Sequence, residues 1–310
     1  LTLSNTSTGS STAVVCVQSL GTALGATHDV IRNCNIIAGS TTVSSIFGIH
    51  VAGTTVSTSA TGDDNDYLTI QNNSIKKAYY GIYSRATAAG RNDSLKILNN
   101  SIGANVTADQ IGKYGMQLYE ADHALISGNE VFNIVGTVTN PTGIRIEAGV
   151  VNSSITKNNI HNLYYTSTGG YGGKGIDVAT SANANVTISN NFVSKMRGDG
   201  WSTFTSDAIV GIRILSPSTG INIYNNSVLL DDLVSRSSSS DVSAALYLHS
   251  AASSMNVKNN ILINKISNST GTAKAYAIAS DAPATAFINI DNNDYYASGP
   301  QGVLGRNSAA

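Results

Sequence analysis

The chain has 310 residues, of which 12% are charged and 41% are hydrophobic, and its formal net charge is −1. The absence of a basic excess argues against nucleic-acid binding, and the hydrophobic content argues against charge-driven disorder. No run approaches the roughly 20 apolar residues that a membrane-spanning helix requires. The composition therefore indicates an ordered protein whose surface consists largely of neutral polar residues.

A short phrase centred on one asparagine recurs along almost the whole chain: apolar, any residue, Asn or Gly, the central Asn, any residue, apolar. Its centres are Asn73, Asn100, Asn129, Asn158, Asn191, Asn226, Asn260 and Asn293, with Cys34 in the first position. Successive centres are 39, 27, 29, 29, 33, 35, 34 and 33 residues apart, and repeats of this size indicate a solenoid. We expect the central asparagines to form a structural ladder, because Asn tolerates the left-handed conformation and its amide carries both a donor and an acceptor.

A second phrase, Gly-apolar-x-apolar, occurs between the asparagine phrases. Gly81-Ile82-Tyr83-Ser84 and Gly143-Ile144-Arg145-Ile146 are two copies. Alternation with a period of two between turns rich in Gly, Ser, Asn and Thr predicts two or three short strands per repeat. Repeats of helical or leucine-rich type do not fit this pattern. The predicted fold is therefore all-β, a parallel β-helix of about nine coils stacked about 4.8 Å apart.

The Asn ladder and the Gly-Ile strand starts together resemble the repeat of the pectate-lyase-like superfamily, over residues 12–297. This resemblance implies a single-stranded, right-handed parallel β-helix. The closing stretch 292–299, Asn-Asn-Asp-Tyr-Tyr-Ala-Ser-Gly, also resembles the last coil of large secreted surface proteins from Bacteroidetes-type bacteria. We see neither the caps that terminal repeats need nor a signal peptide. We therefore expect residues 1–310 to be one β-helix domain within a longer secreted protein.

The residues that follow each Gly-Ile pair are predicted to form an outward-facing row, because successive side chains of a strand point to opposite faces. The row reads His50, Tyr83, Gln117, Arg145, Asp177, Arg213 and Tyr247. Charged and aromatic residues gathered on one sheet of a charge-poor chain indicate a binding face. The predicted ligand-binding residues are Tyr83, Arg85, Gln117, Tyr119, Arg145, Glu147, Asp177, Trp201, Arg213, Tyr247 and His249.

Three interpretations of this face are open. Neighbouring coils can place Arg145, Asp177 and Arg213 in a surface ion-pair ladder, in which exposed pairs contribute about 0–1 kcal/mol each. Alternatively, the tyrosines stack on sugar rings while the charged groups bind hydroxyl or uronate oxygens. In an enzyme, Glu147 and Asp177 would be the acid and base of a hydrolase. In a lyase, Arg145 or Arg213 would neutralise a uronate or abstract a proton.

The catalytic motifs that the resemblance implies are missing from this face. Family members that hydrolyse pectin-like polymers carry an Asn-Thr-Asp, a paired Asp-Asp, a Gly-His-Gly and an Arg-x-Lys. Here Asp177 stands alone on its strand, His249 is followed by Ser250, and residues 211–215 lack a lysine. Calcium-dependent lyases need several carboxylates at one site, and only Glu147 and Asp177 are available. These departures favour a protein without turnover.

Two smaller features also have alternative interpretations. Cys16 and Cys34 are either a disulfide or, as we favour, two buried free thiols, because buried cysteine behaves as a small hydrophobe. Neither has a partner His cluster, so we predict no metal site there. Asp63, Asp64 and Asp66 form an acidic loop with oxygen ligands suited to Ca²⁺. The loop lacks EF-hand spacing and a bidentate Glu, which favours a solvated turn.

The function expected from the sequence is a secreted or cell-surface structural or adhesive module without turnover, with glycan binding as an additional role. The alternative is a polysaccharide lyase or glycosidase that acts along the outward face. The expected partners are polysaccharides or cell-surface components, with end-to-end or flanking-domain contacts, but no nucleic acid and no membrane span.

Overall fold

The computed structural model describes residues 1–180, 183–200, 202–215, 217–234, 241–268 and 272–308. Over these residues the protein is an all-β solenoid of three long parallel sheets, and its only helical segments are the 3₁₀ turns Thr107–Asp109 and Ala284–Ala286. The predicted fold class is thus confirmed. Within the same ranges, no helix is long and apolar enough to cross a membrane.

Each coil contributes one strand to each long sheet. The first sheet, which precedes the ladder position, contains Val30–Arg32, Thr69–Gln71, Lys96–Leu98, Leu125–Ser127, Ser154–Thr156, Val186–Ser189, Ile221–Tyr224, Met255–Lys258 and Phe287–Asp291. The second sheet, which follows the ladder position, contains Thr2–Ser4, Asn35–Ile37, Ser74–Lys76, Ser101–Ile102, Glu130–Gly136, Asn159–Tyr165, Phe192–Arg197, Ser227–Leu230, Ile261–Asn264 and Asp294–Ala297. The third sheet contains Thr12–Gln18, Ile46–Ala52, Tyr80–Arg85, Tyr114–Tyr119, Thr142–Ile146, Lys174–Val178, Ile209–Ile214, Val242–Leu248, Lys274–Ser280 and Gly302–Asn307.

Two short pairings supplement the long sheets. Asn92–Asp93 pairs with Ala121–Asp122, and Leu233–Val234 pairs with Ser267–Asn268. The first sheet has nine strands in its described part, so eight steps lead from its first strand to its last. Nine strands agree with the prediction of about nine coils.

The core runs along the axis of the solenoid. Equivalent apolar residues of successive coils are direct strand partners, as in the pairing of Ile97 with Ile70 and Ile126. These three side chains are buried in one continuous apolar cluster. Burial of apolar surface is the main driving force for folding, and in this chain it requires neighbouring coils to stack.

The asparagine ladder is present, and its side-chain amides both donate and accept hydrogen bonds. Asn129 donates from Nδ2 to Asn158 Oδ1 at 2.9 Å and to the Ile97 carbonyl at 2.8 Å. The Asn129 backbone N–H donates to the same Asn158 oxygen at 3.0 Å. The pattern repeats along the chain through Asn293. Since buried polar groups are costly when unpaired, this repetition explains why the position is asparagine.

The left-handed conformation, in contrast, belongs to the residue before the ladder position. Asn99 has a φ of 53° and Gly128 a φ of 69°, whereas the ladder residues themselves do not have positive φ. The expectation that the ladder asparagine exploits its tolerance of this conformation was therefore wrong. The Asn-or-Gly position of the phrase makes the turn, and the ladder Asn supplies the hydrogen bonds.

The glycine of the second phrase is required by close packing between coils. A Cβ on Gly115 would lie 2.4 Å from Val131 Cγ1 and 2.6 Å from the Gly143 carbonyl oxygen. Both distances are shorter than any ordinary contact, so a side chain here would push adjacent coils apart. This constraint fixes the register of the third sheet, which carries the candidate site.

Both cysteines are free, but their environments differ from the expected pair of buried thiols. Cys34 occupies the first ladder position, where its N–H donates to Asn73 Oδ1 at 3.0 Å and its side chain is half-buried. Cys16 is exposed because it pairs with His50 and so belongs to the outward row. The expectation of a buried thiol at Cys16 was therefore wrong.

Candidate functional site on the third sheet

The predicted outward row exists as a line of direct strand partners. Gln117 pairs with Tyr83 and Arg145, and Asp177 pairs with Arg145 and Arg213. His50 and Tyr247 extend the line at its two ends. Strand register therefore brings together residues that are about 30 positions apart in the chain.

This row is largely buried, which differs from the expected exposed face. Two irregular segments cover it: the N-terminal cover, residues 53–61, and the C-terminal cover, residues 202–208. The Thr58 carbonyl accepts hydrogen bonds from Tyr83 Oη and Arg85 Nη1, both at 2.6 Å. The Ser57 carbonyl accepts one from His50 Nε2 at 3.0 Å. Loops that the strand pattern does not encode thus close both ends of the face.

A charge network occupies the middle of the row. Asp177, 1% exposed, receives Arg213 Nε on Oδ1 at 2.8 Å and Arg213 Nη2 on Oδ2 at 2.7 Å. Arg145 Nη1 donates to the same Oδ2 from the opposite side. These pairs are buried, so the interpretation as an exposed ion-pair ladder does not describe them. A buried charge pair is maintained only when hydrogen bonds satisfy both partners.

The network continues from Arg145 to a second carboxylate. Arg145 Nε contacts Glu147 Oε1 at 2.9 Å, and Nη2 donates to Oε2 at 3.0 Å. Gln117 Nε2 donates to Glu147 Oε1 at 2.8 Å, and Tyr119 Oη donates to the same oxygen at 3.3 Å. Four predicted residues, Gln117, Tyr119, Arg145 and Glu147, are therefore held in one rigid arrangement.

The protonation states follow from these contacts. Burial alone would raise the pKa of Asp177, but the charges of Arg213 and Arg145 hold it well below its usual range. Burial opposes the charge of Arg145, yet Asp177 and Glu147 raise its pKa above the ordinary value. Burial and the Glu147 charge raise the pKa of Tyr119. Asp177 and Arg145 are therefore ionised, and Tyr119 is neutral, at physiological pH.

Between the two covers the face is open to solvent. We call this opening the window; it is formed by the half-buried residues Arg85, Lys113, Tyr114, Tyr119, Arg145 and Glu147. The Arg85 guanidinium lies 4.8 Å from the centre of the Tyr119 ring, and Lys113 Nζ lies 4.8 Å from the centre of the Tyr114 ring. Aromatic faces beside fixed hydrogen-bond donors and acceptors form a surface on which a polar ring compound can stack and bond.

The geometry does not favour the acid and base roles considered for Glu147 and Asp177. An acid catalyst needs a proton at the working pH, and two guanidinium groups keep Asp177 ionised. Arg145 lies between the carboxylates and bonds to both. Arg213 is fully engaged by Asp177 and by the C-terminal cover, so it is not a free base for a lyase.

The other predicted residues lie at the edges of the face. Tyr247 is buried and donates from Oη to Asp281 Oδ2 at 2.7 Å. His249 lies in the turn after its strand, where its Nδ1 accepts the Ala251 N–H at 3.1 Å. Trp201 lies outside the described residues, so its predicted role as a sugar platform stays a prediction.

Three site residues were missed because the sequence was aligned only on positions after the glycine. Tyr114 and Lys174 stand just before the glycine, in a parallel row with Thr142 and Val210. Burial raises the pKa of Tyr114 to about 12. Burial also lowers the pKa of Lys113, which precedes Tyr114. Comparing the two positions before the glycine across the repeats would have identified all three residues.

The acidic loop uses its carboxylates within the fold. Asp63 accepts hydrogen bonds from Thr22 and Thr87, at 3.1 and 2.7 Å. Asp66 Oδ1 accepts the Asp93 N–H at 2.7 Å, and Asp64 Oδ2 accepts the Ala23 N–H at 2.5 Å. Among the described residues, no group of three or more His, Cys, Asp or Glu side chains is placed to hold a metal ion.

Comparison with known proteins gives little beyond this geometry. No protein-family model matches the chain, and no curated protein matches it. The crystal structure of Dettilon tailspike protein (gp208) aligns with 99% of this chain at 11% identity and a TM-score of 0.44. The chain spans 60% of the length of that tailspike protein. We therefore base the functional argument on the site itself.

Proposed function

We propose that this protein is a non-catalytic, glycan-binding β-solenoid module of a secreted or cell-surface protein. Its ligand is a polysaccharide that lies across the window. One observation carries the proposal: Tyr114 and Tyr119 are half-buried beside an ordered set of charged hydrogen-bonding groups, in a chain with few charges elsewhere. Sugars are bound by this combination, since their ring faces are apolar and their edges are hydroxyl groups.

The rigidity of the window supports binding rather than turnover. Arg145, Glu147, Gln117 and Tyr119 are fixed by their mutual contacts before any ligand arrives. A preorganised site loses less conformational entropy on binding. The same contacts keep both carboxylates paired with Arg145, which suits recognition of hydroxyl groups and does not suit proton transfer.

The test is an affinity measurement with matched tyrosine variants. Purified protein is titrated with alginate, an acidic polysaccharide, and dextran, a neutral one, within a wider polysaccharide panel. We expect Tyr119→Ala to weaken binding of any positive ligand at least about tenfold, because a buried aromatic contact is worth about 1.4 kcal/mol or more. Tyr296→Ala, on the exposed side of the second sheet, is the control and should bind like the wild type.

Equal affinity of the Tyr119 and Tyr296 variants for a bound polysaccharide would exclude the window as its site. Reducing-end or unsaturated products in the same assays would instead establish turnover and overturn the non-catalytic proposal.

A further inference from the structure

The C-terminal cover makes contacts that resemble those of a bound ligand. The Phe204 ring, 3% exposed, stacks on Tyr247 with 4.8 Å between ring centroids and 21° between ring planes. The carbonyl oxygens of Phe204 and Ser206 accept hydrogen bonds from Arg213 Nη1 at 3.1 and 2.6 Å. A ring on a tyrosine face with oxygens on a guanidinium is the arrangement that a sugar residue would adopt there.

The covered part is continuous with the window. Arg213 and Arg145 bond to the same carboxylate, that of Asp177, from the two coils on either side of it. Only about one strand spacing separates successive coils. A polymer that reaches Arg145 in the window is therefore two coils, or about 10 Å, from the Arg213 donors that the cover occupies.

A buried amine lies in this covered region. Lys174 is 1% exposed, and its Nζ has no hydrogen-bond partner among the described residues. Its row neighbour Val210 packs with Phe204 and Ala208 in an apolar cluster separate from the main core. Lys174 therefore lies on the outer side of the sheet, in the region of the C-terminal cover.

The charged groups around Lys174 come from four elements. Asp177 is on its own strand, Arg145 and Arg213 are on the two adjacent strands, and Asp207 is in the cover. Burial and the Arg213 charge lower the pKa of Lys174 well below its ordinary value. Displacement of the cover would expose this amine to water and relieve the burial that lowers its pKa.

The cover also has free space beside it. A cavity of about 190 Å³ is lined by Ser202, Thr203, Phe204, Thr205, Asp281 and Arg306. The segment is thus packed against the sheet on one side and borders a cavity on the other. Movement of Phe204 away from Tyr247 would also break its edge contact with Tyr276, at 5.9 Å between ring centroids, and its contact with the Arg306 guanidinium, 5.4 Å from the ring centre.

We propose that the C-terminal cover is a displaceable internal ligand, and that beneath it lies a second glycan subsite formed by Tyr247, Arg213 and Lys174. In this subsite a sugar ring replaces Phe204 on Tyr247, and sugar oxygens replace the cover carbonyls on Arg213. Lys174 donates to a further oxygen. This inference rests on the proposed glycan binding and extends it from the window to the adjacent coils.

The experiment reads the accessibility of Lys174 directly. Protein is pulsed with a small amine-acetylating reagent, and acetylation of Lys174 is quantified by peptide mass spectrometry. Phe204→Ala removes the stacked ring, and we expect it to raise the labelling rate at least about tenfold. Thr205→Ala, an exposed residue of the same segment, is the matched control and should label like the wild type. Circular dichroism verifies that both variants are folded.

Adding a polysaccharide distinguishes a sugar-binding subsite from simple loosening of the cover. Alginate and dextran are added to Phe204→Ala protein, and we expect the polysaccharide that binds to reduce Lys174 labelling again. If a polysaccharide binds in a Tyr119-dependent way but leaves Lys174 labelling unchanged, the subsite is refuted and the window proposal stands. If neither polysaccharide binds any variant, both fail for these ligands. Unchanged labelling of folded Phe204→Ala would refute the displaceable cover.

Discussion

The Asn ladder and the third-sheet face are both lines of buried polar side chains that cross the coils, but they obey different rules. Ladder residues such as Asn129 and Asn158 are identical, neutral and fully hydrogen-bonded. Residues of the face change from coil to coil, carry charge, and include one unpartnered amine, Lys174. Repetition along a solenoid indicates a structural role, and the binding site that we propose lies where one face departs from that repetition.

The largest expected effect comes from breaking the charged line. Asp177→Ala leaves Arg213 without its bidentate partner in a buried environment. We expect a loss of about 3–5 kcal/mol in the free energy of unfolding at pH 7, measured by urea denaturation. Asp232→Ala removes the partner of the more exposed Arg197 and should cost about 0–1 kcal/mol. Equal losses in both variants would contradict the distinction between buried and surface pairs.

Acid should reduce the difference in stability between the wild type and Asp177→Ala. The folded-state pKa of Asp177 lies below its unfolded value of about 3.9. Its stabilising contribution is therefore complete above about pH 4 and is lost as the pH falls through the folded value. We expect the gap between wild type and Asp177→Ala to be constant from pH 7 to 5 and to shrink below pH 4. A gap that grows in acid would contradict the assigned protonation state.

The next largest loss of stability is expected for a substitution in the Asn ladder. Asn158→Ala removes the acceptor of the Asn129 amide and the donor to the Ile126 carbonyl. Leaving such groups buried and unpaired should cost about 2–3 kcal/mol in urea denaturation at neutral pH, with little dependence on pH from 4 to 9. The neighbouring Asn159 is exposed, so Asn159→Ala should stay within about 0.5 kcal/mol.

How far the sequence predicts the molecule differs between these two regions. The period, the strand phrases and the ladder positions could be read directly, because each coil repeats the same local chemistry. The column of Gln117, Arg145, Asp177 and Arg213 could also be read, since strand register follows from the repeat. Its burial could not, because the covers are non-repeating loops such as residues 53–61 and 202–208.

Other errors had a more local origin. The left-handed turn was assigned to the ladder residue, whereas Asn99 and Gly128 before it adopt that conformation. Cys16 was placed in the core, and a shift of one residue puts a strand side chain on the opposite face. Lys174 was overlooked because its strand begins one residue before the glycine used for alignment.

The smallest effect tests the unpaired amine. Unfolded Lys174 is protonated below about pH 10.4, whereas burial lowers its pKa in the folded chain. Between the folded-state and the unfolded-state pKa, folding releases a proton, so wild-type stability rises with pH through this range. Lys174→Met lacks this penalty and should gain about 1–2 kcal/mol at pH 7. The gain, measured by urea denaturation, should narrow toward pH 10; a loss at pH 7 would indicate a favourable role for the charge.

The most direct test of the account is to map where a polysaccharide binds. Hydrogen–deuterium exchange of the wild-type protein, with and without alginate or dextran, reports protection along each strand. We predict that a bound polysaccharide protects Tyr114–Tyr119 and Thr142–Ile146 and leaves the second sheet unchanged. Protection confined to the second sheet, around Phe192–Arg197, would contradict the assignment of binding to the window.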